Sequence, residues 1–266
     1  MKAAITQYYP GDSPLHRADP RAKIVAVTAL AVALFTRDSF AALAVYAAAG
    51  VVAFAVSRVP LRWAWRAVKP VLWLIGLTFV AQVLFAPGEP FFEFGPFELS
   101  WEGLRLAGFL SVRLVVLILI GSVLTLTTPP VALTDGLAWL GRPLRRLRVP
   151  SDELALMVTI ALRFIPTLLV ELDTIMRAQR ARGADFSSGG PLRRARALVP
   201  VMVPLFVVSF RRADELALAM EARCYAPGVA RTRLHPLHAR PSDALLLGLA
   251  AATIVAASLV GTSVTG

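Results

Sequence analysis

Leu104-Arg105-Leu106-Ala107-Gly108-Phe109-Leu110-Ser111-Val112-Arg113-Leu114-Val115-Val116-Leu117-Ile118-Leu119-Ile120-Gly121-Ser122-Val123-Leu124-Thr125-Leu126 reads as a membrane span. A bilayer asks for roughly 20 mostly apolar residues. A segment so poor in polar partners must satisfy its own backbone, which makes it a helix. Four more segments read the same way: Ile24 to Phe35 extended by its flanks, Phe40 to Val56, Val68 to Phe85, and Ala244 to Val260. The expected fold is therefore all-α, a polytopic membrane protein with about five transmembrane helices. The 266 residues are 57% hydrophobic, more than a soluble domain of this size would carry.

The Lys and Arg residues set the orientation. Arg17, Arg21 and Lys23 precede the first span, and Arg58, Arg62, Arg66 and Lys69 follow the second. The loop from Ala86 to Glu102 has neither Lys nor Arg but carries Glu89, Glu93, Glu98 and Glu102. This predicts a cytoplasmic N-terminal arm over 1–23, transmembrane helices 1 to 4 over 24–126, a cytoplasmic or interfacial region over 127–241, and a last span with an external C-terminus over 242–266.

Within 127–241 the apolar runs Leu154 to Val170 and Ala197 to Phe210 test that count. If both spanned, Arg177, Arg180, Arg182, Arg193, Arg194 and Arg196 would lie outside, against the positive-inside pattern. Arg163 interrupts the first run, where a helix-centre charge costs about 2.5–3.5 kcal/mol. The second run holds Pro200 and Pro204, which break or kink helices. Both are read as long amphipathic helices at the inner interface. Arg113 is the odd residue inside a true span. It either snorkels toward the inner face or is a bundle-interior charge holding the cytoplasmic helices or a partner.

A helix should start at Ser151 with Asp152 and Glu153 in its first turn, kink at Pro166 and stop at Gly183. Glu171, Ile175, Ala178 and Arg182 share a face at spacings of 4, 7 and 11. A linker, Ser187-Ser188-Gly189-Gly190-Pro191, leads to a second unit in which Leu216, Met220 and Arg223 share a face, ended by Tyr225-Ala226-Pro227-Gly228. The two ends match: Ala178-Gln179-Arg180-Ala181-Arg182-Gly183 and Ala219-Met220-Glu221-Ala222-Arg223-Cys224 both read Ala-x-x-Ala-Arg-small. A long Arg at a helix C-terminus suits the dipole and can pair bidentately with a carboxylate, and small neighbours let a partner approach. Two similar knobs predict two similar sockets.

The chain is expected to be no enzyme, with no cofactor and no metal. No P-loop pattern occurs. His235 and His238 lie in a basic loop without a nearby carboxylate or thiol, and Ser13 with His16 reads as a polar interfacial arm. The net charge of +11 suits anionic lipid or acidic partners. No nucleic-acid reading module is present.

On these residues the chain resembles the transmembrane T component (EcfT/CbiQ family) of energy-coupling factor transporters. Gly11 to Lys23 is similar to that family's opening motif, and Thr127-Thr128-Pro129-Pro130 to its span exit. Leu162-Arg163-Phe164-Ile165-Pro166-Thr167, Glu171 and Ala178 to Gly183 resemble its most specific block. Ala219 to Tyr225 with Arg231-Thr232-Arg233 resembles its second coupling motif, with Cys224 where the family has Gly. The resemblance implies a coupling scaffold in a prokaryotic plasma membrane, with two ABC ATPase subunits and a membrane-embedded S component as partners and a vitamin or transition-metal ion as cargo. Carried over by position, Ala181, Arg182 and Gly183 would dock one ATPase and Ala222, Arg223 and Cys224 the other. Arg163, Pro166, Glu171 and Arg113 would carry coupling or structure, and Asp19 and Arg21 would tie the N-terminal arm to the cytoplasmic helices. The alternatives are a conventional ABC permease with its own substrate path, for which the spans offer little beyond Thr78, Gln82, Arg113 and Ser122, and a membrane scaffold without transport.

Overall fold

The computed structural model describes residues 8–85, 90–94, 97–143, 150–186, 188, 190–226 and 241–262. The expected Arg231-Thr232-Arg233 motif, His235, His238, Glu89, Pro227 and Gly228 lie outside the described residues, as do Ser187 and Gly189 of the linker. The chain divides into two units, one of Met1–Trp139 with His235–Gly266 and one of Leu140–Leu234.

The first unit holds α1 (Pro14–Arg17), α2 (Pro20–Ala33), α3 (Phe40–Ser57), α4 (Leu61–Val68), a single 3-10 turn (Lys69–Val71), α5 (Leu72–Phe85), β1 (Pro90–Phe94), β2 (Phe97–Ser100), α6 (Trp101–Thr127) and α7 (Pro130–Leu140), and α10 (Pro241–Thr262) returns to it. The acidic loop holds a short antiparallel hairpin, with Glu93 opposite Glu98 and Phe94 opposite Phe97. Ser100 then caps α6 by accepting the Gly103 N–H at 3.0 Å. Apart from this hairpin the described chain is helical, as expected.

Apolar packing is concentrated where α2, α3, α6 and α10 meet. Leu34, Leu43, Tyr46, Phe109, Val116 and Ile120 are buried there with Ala42 and Ala257. Small residues let these backbones approach, the usual arrangement where lipid removes the hydrophobic drive for association. At Gly50 on α3 an added Cβ would stand 3.3 Å from Leu119 of α6. By contrast, α5 has no buried residue, and Trp73 and Phe85 are each 74% exposed.

Among the described residues five helices are long and apolar enough to cross a membrane: Phe40–Ser57, Leu61–Phe85, Trp101–Thr127, Glu153–Ala181 and Pro241–Val260. Four match expected spans, but the first expected span does not qualify. Its helix, α2, has 14 residues, about 21 Å of rise against roughly 30 Å of hydrocarbon. Asp19-Pro20 starts it, and its last turn, Ala33 to Thr36, closes just ahead of the polar Arg37-Asp38-Ser39. The fifth candidate is instead part of α8, expected at the interface: Arg163 does not offset its length and apolar content.

The second unit is a helical hairpin of α8 (Ser151–Ala181) and α9 (Pro191–Glu221). Pro150, not Ser151, holds the cap position of α8. Neither helix is broken at its prolines: α8 runs through Pro166, and α9 runs through both Pro200 and Pro204. The reason is local. Pro204 has no N–H, so the Pro200 carbonyl loses its helical partner. Gln179 Nε2 of α8 donates to that carbonyl at 3.3 Å. The lost backbone bond becomes a bond between helices.

Candidate functional site

Both Arg-tipped ends of the second unit are Schellman motifs with the same hydrogen bonds at corresponding residues. At the end of α8 the Gly183 N–H donates to the Arg180 carbonyl at 2.9 Å and the Ala184 N–H to the Gln179 carbonyl at 2.9 Å. At the end of α9 the Cys224 N–H donates to Glu221 at 2.9 Å and the Tyr225 N–H to Met220 at 3.0 Å. This crossed pair satisfies the last carbonyls of a helix and needs a left-handed residue at its corner. Gly183 has φ of +87° and Cys224 has φ of +57°. The bend that Gly makes at the first tip is therefore made at the second by Cys, at a cost of about 1–2 kcal/mol for an L-residue in that region. Arg182 and Arg223 sit one residue before the corner, and both are exposed, as are Ala181, Gly183, Ala222 and Cys224. An added Cβ at Gly183 would meet nothing within 4 Å.

The hairpin keeps the tips apart. Arg212 of α9 pairs with Glu171 of α8 at 3.3 Å, and Gln179 meets Pro200, so the contacts run in opposite directions along the two helices. From Pro200 to its end at Glu221, α9 rises about 32 Å at 1.5 Å per residue. Glu171, picked out in the sequence, thus has a structural partner, Arg212, that the sequence reading missed. Arg163 and Pro166 are exposed on α8.

In the first unit Asp19 and Arg21 join the N-terminal arm to α10 and α7. The Asp19 N–H donates to Asp243 Oδ1 of α10 at 2.8 Å, and Asp19 Oδ1 accepts the Arg21 N–H at 2.8 Å, capping α2. The Arg21 guanidinium lies 4.6 Å over the Trp139 ring of α7. Within this unit the tie thus runs to the last apolar helix and to α7. Lys23, 4% exposed, donates to the Thr127 carbonyl at 3.2 Å and to Thr128 Oγ1 at 3.0 Å. Burial draws its ammonium down to about 8, with Asp243 and Asp19 opposing the shift.

Arg113 requires a correction. It is buried, and its Nη2 donates to the Arg37 carbonyl and to Asp38 Oδ1, each at 2.6 Å. Phe109 and Phe35 flank the guanidinium at 4.4 and 5.5 Å. Arg37 and Asp38 form the α2–α3 turn, at the end of the bundle opposite Lys23 and Thr127. Arg113 is therefore a bundle-interior charge that braces the α2–α3 turn and does not snorkel toward the Lys23 end. Asp38, only 75 residues away in sequence but on another turn, gave no local signal.

Apolar helices in one unit and two long Arg-tipped helices in the other define a polytopic α-helical membrane protein. Residues 11–235 match the family model CbiQ, described as cobalt transport protein. The chain is 49% identical over 239 residues to the energy-coupling factor transporter transmembrane protein EcfT of Thermosediminibacter oceani, covering 90% of each chain. It is 48% identical over 254 residues to that of Thermanaerovibrio acidaminovorans, covering 95% of this chain and 94% of the relative. With that of Clostridium kluyveri the identity is 45% over 258 residues, covering 96% and 95%. The chain belongs to this family, the transmembrane components of energy-coupling factor transporters, and is a transporter membrane subunit, not a catalytic enzyme in itself.

Proposed function

We propose that this subunit couples two ABC ATPases to a membrane-embedded S component, so that closure of the ATPases moves α8 and α9 and reorients the S component, releasing a vitamin or a transition-metal ion inside the cell. The N-terminus and the Arg tips face the cytoplasm of a prokaryotic cell, beneath its plasma membrane. Arg182 pairs with an acidic residue of one ATPase and Arg223 with its counterpart in the other.

One observation carries this reading: two exposed helix ends of the same backbone geometry, each presenting an Arg one residue before a left-handed corner. Two equivalent plugs suit two related sockets, and the length of helix between them suits two separate subunits. A permease with its own substrate path is less well supported. The cavity of about 420 Å³ among α2, α3, α6 and α10 is lined by aliphatic residues, with only Lys23, Ser242 and Thr253 as polar groups. Such a lining offers little to orient a polar cargo.

The test is charge reversal at the tips. Arg182→Glu and Arg223→Glu, singly and together, are made with compensating Lys elsewhere to hold the net charge. Each single variant should lose one ATPase on co-purification and the double variant both. Retention of both ATPases and of uptake by the double variant rules the docking reading out.

A further inference from the structure

We propose that the segment Tyr9–Lys23 is a clamp on the end of α6, holding that end fixed while α8 and α9 move; the inference rests on the coupling role proposed above. The reason begins with two prolines. A helix normally satisfies its last carbonyls with the N–H groups of the next two residues, as α8 and α9 do. After α6 and its cap residue Thr128 those positions are Pro129 and Pro130, which have no N–H to give. The carbonyls at the end of α6 therefore need donors from elsewhere.

The N-terminal segment supplies them. The Tyr9 N–H donates to the Leu126 carbonyl at 3.0 Å. Lys23 Nζ donates to the Thr127 carbonyl and Thr128 Oγ1. A cation at a helix C-terminus also meets the favourable end of its dipole. Thr127 is 0% and Thr128 1% exposed, so water does not stand in for these donors. The Tyr9 ring packs 5.8 Å from Trp63, beside Leu126. The same segment reaches α10 through Asp19 and α7 through Arg21. At Gly136 of α7 a Cβ would lie 2.9 Å from Ile24 Cδ1 and 3.3 Å from Pro20, so α7 is seated directly on the start of α2. Two motifs 104 residues apart in sequence thus form one joint. Lys23 and Tyr9 are positioning residues: they fix the frame from which the coupling helices depart.

The experiment is hydrogen exchange on the complete complex with both ATPases and the S component in nanodiscs, with and without ADP and vanadate. In the wild type, amides of 126–140 should be protected and indifferent to nucleotide, while those of 151–226 respond. In Lys23→Met, exchange in 126–140 should rise roughly tenfold, the scale of one lost buried hydrogen bond, and become nucleotide-dependent, with both ATPases still bound. Thr128→Val should shift the same way by less, Thr128→Ser should match the wild type, and if Lys23→Met does not assemble, Thr128→Val carries the test. Unchanged protection in 126–140, or a rise equal in both nucleotide states, overturns the clamp. Silence of 151–226 in the wild type overturns the coupling role instead, and the clamp's holding function with it.

Discussion

The ends of α6 and the ends of α8 and α9 solve one problem in opposite ways. All three must satisfy carbonyls that have run out of helix. The tips of α8 and α9 fold back and satisfy those carbonyls with their own next two N–H groups, and their Arg residues stand exposed. The end of α6 has prolines at those positions and is buried under donors from the N-terminal segment. A self-sufficient end can leave its surroundings and enter a partner; an end finished by another segment cannot move without breaking that segment's bonds. On the coupling role proposed above, that difference would set the moving ends of α8 and α9 apart from a fixed end of α6.

The largest test of that contrast is the Arg182→Glu, Arg223→Glu double variant. Like charges facing each other in a desolvated socket should weaken ATPase binding by more than about 100-fold. The backbone caps survive the substitution, so thermal unfolding of the isolated subunit should fall only by the lost dipole contribution, about 0.3–1 kcal/mol per tip. Next is Gly183→Pro. Proline cannot reach φ of +87°, and it removes the N–H given to Arg180. Local disruption of about 3 kcal/mol should abolish docking of one ATPase in a pull-down, whereas the same substitution at exposed Gly190, already at φ −69°, should not. Tyr9→Pro probes the other kind of end. Losing the donor to Leu126 should lower the stability of the subunit by about 1–3 kcal/mol, seen as an earlier melt, although the change lies outside α6. The smallest effect belongs to Cys224→Gly. Relieving the left-handed L-residue should stabilise the second tip by about 1 kcal/mol, read as slower amide exchange at Tyr225, with docking retained.

Much of this was legible in the sequence because it depends on local signals. Apolar length located α3, α6 and α10, and Gly183 marked the end of α8. The repetition of Ala-x-x-Ala-Arg predicted that two helices finish alike. Cys224 hid its bend, since its residue type disfavours the conformation it adopts. The group that compensates Pro204 was hidden too, because it is Gln179 on another helix. Arg113 was conspicuous, but its destination was not, because Asp38 lies across the bundle. The partnership of Lys23 with Thr127 is likewise non-local, yet it had a trace: two consecutive prolines after a span leave acceptors that something must meet. Length decided the fate of the first expected span, where Phe35 is followed by a turn instead of another helical turn.

Cys224 has one more consequence. It is the chain's single thiol, and it stands exposed on the second tip. A maleimide fluorophore would mark that tip alone in the unmutated protein, so its quenching on titration with each ATPase in turn would report which of the two takes the α9 end.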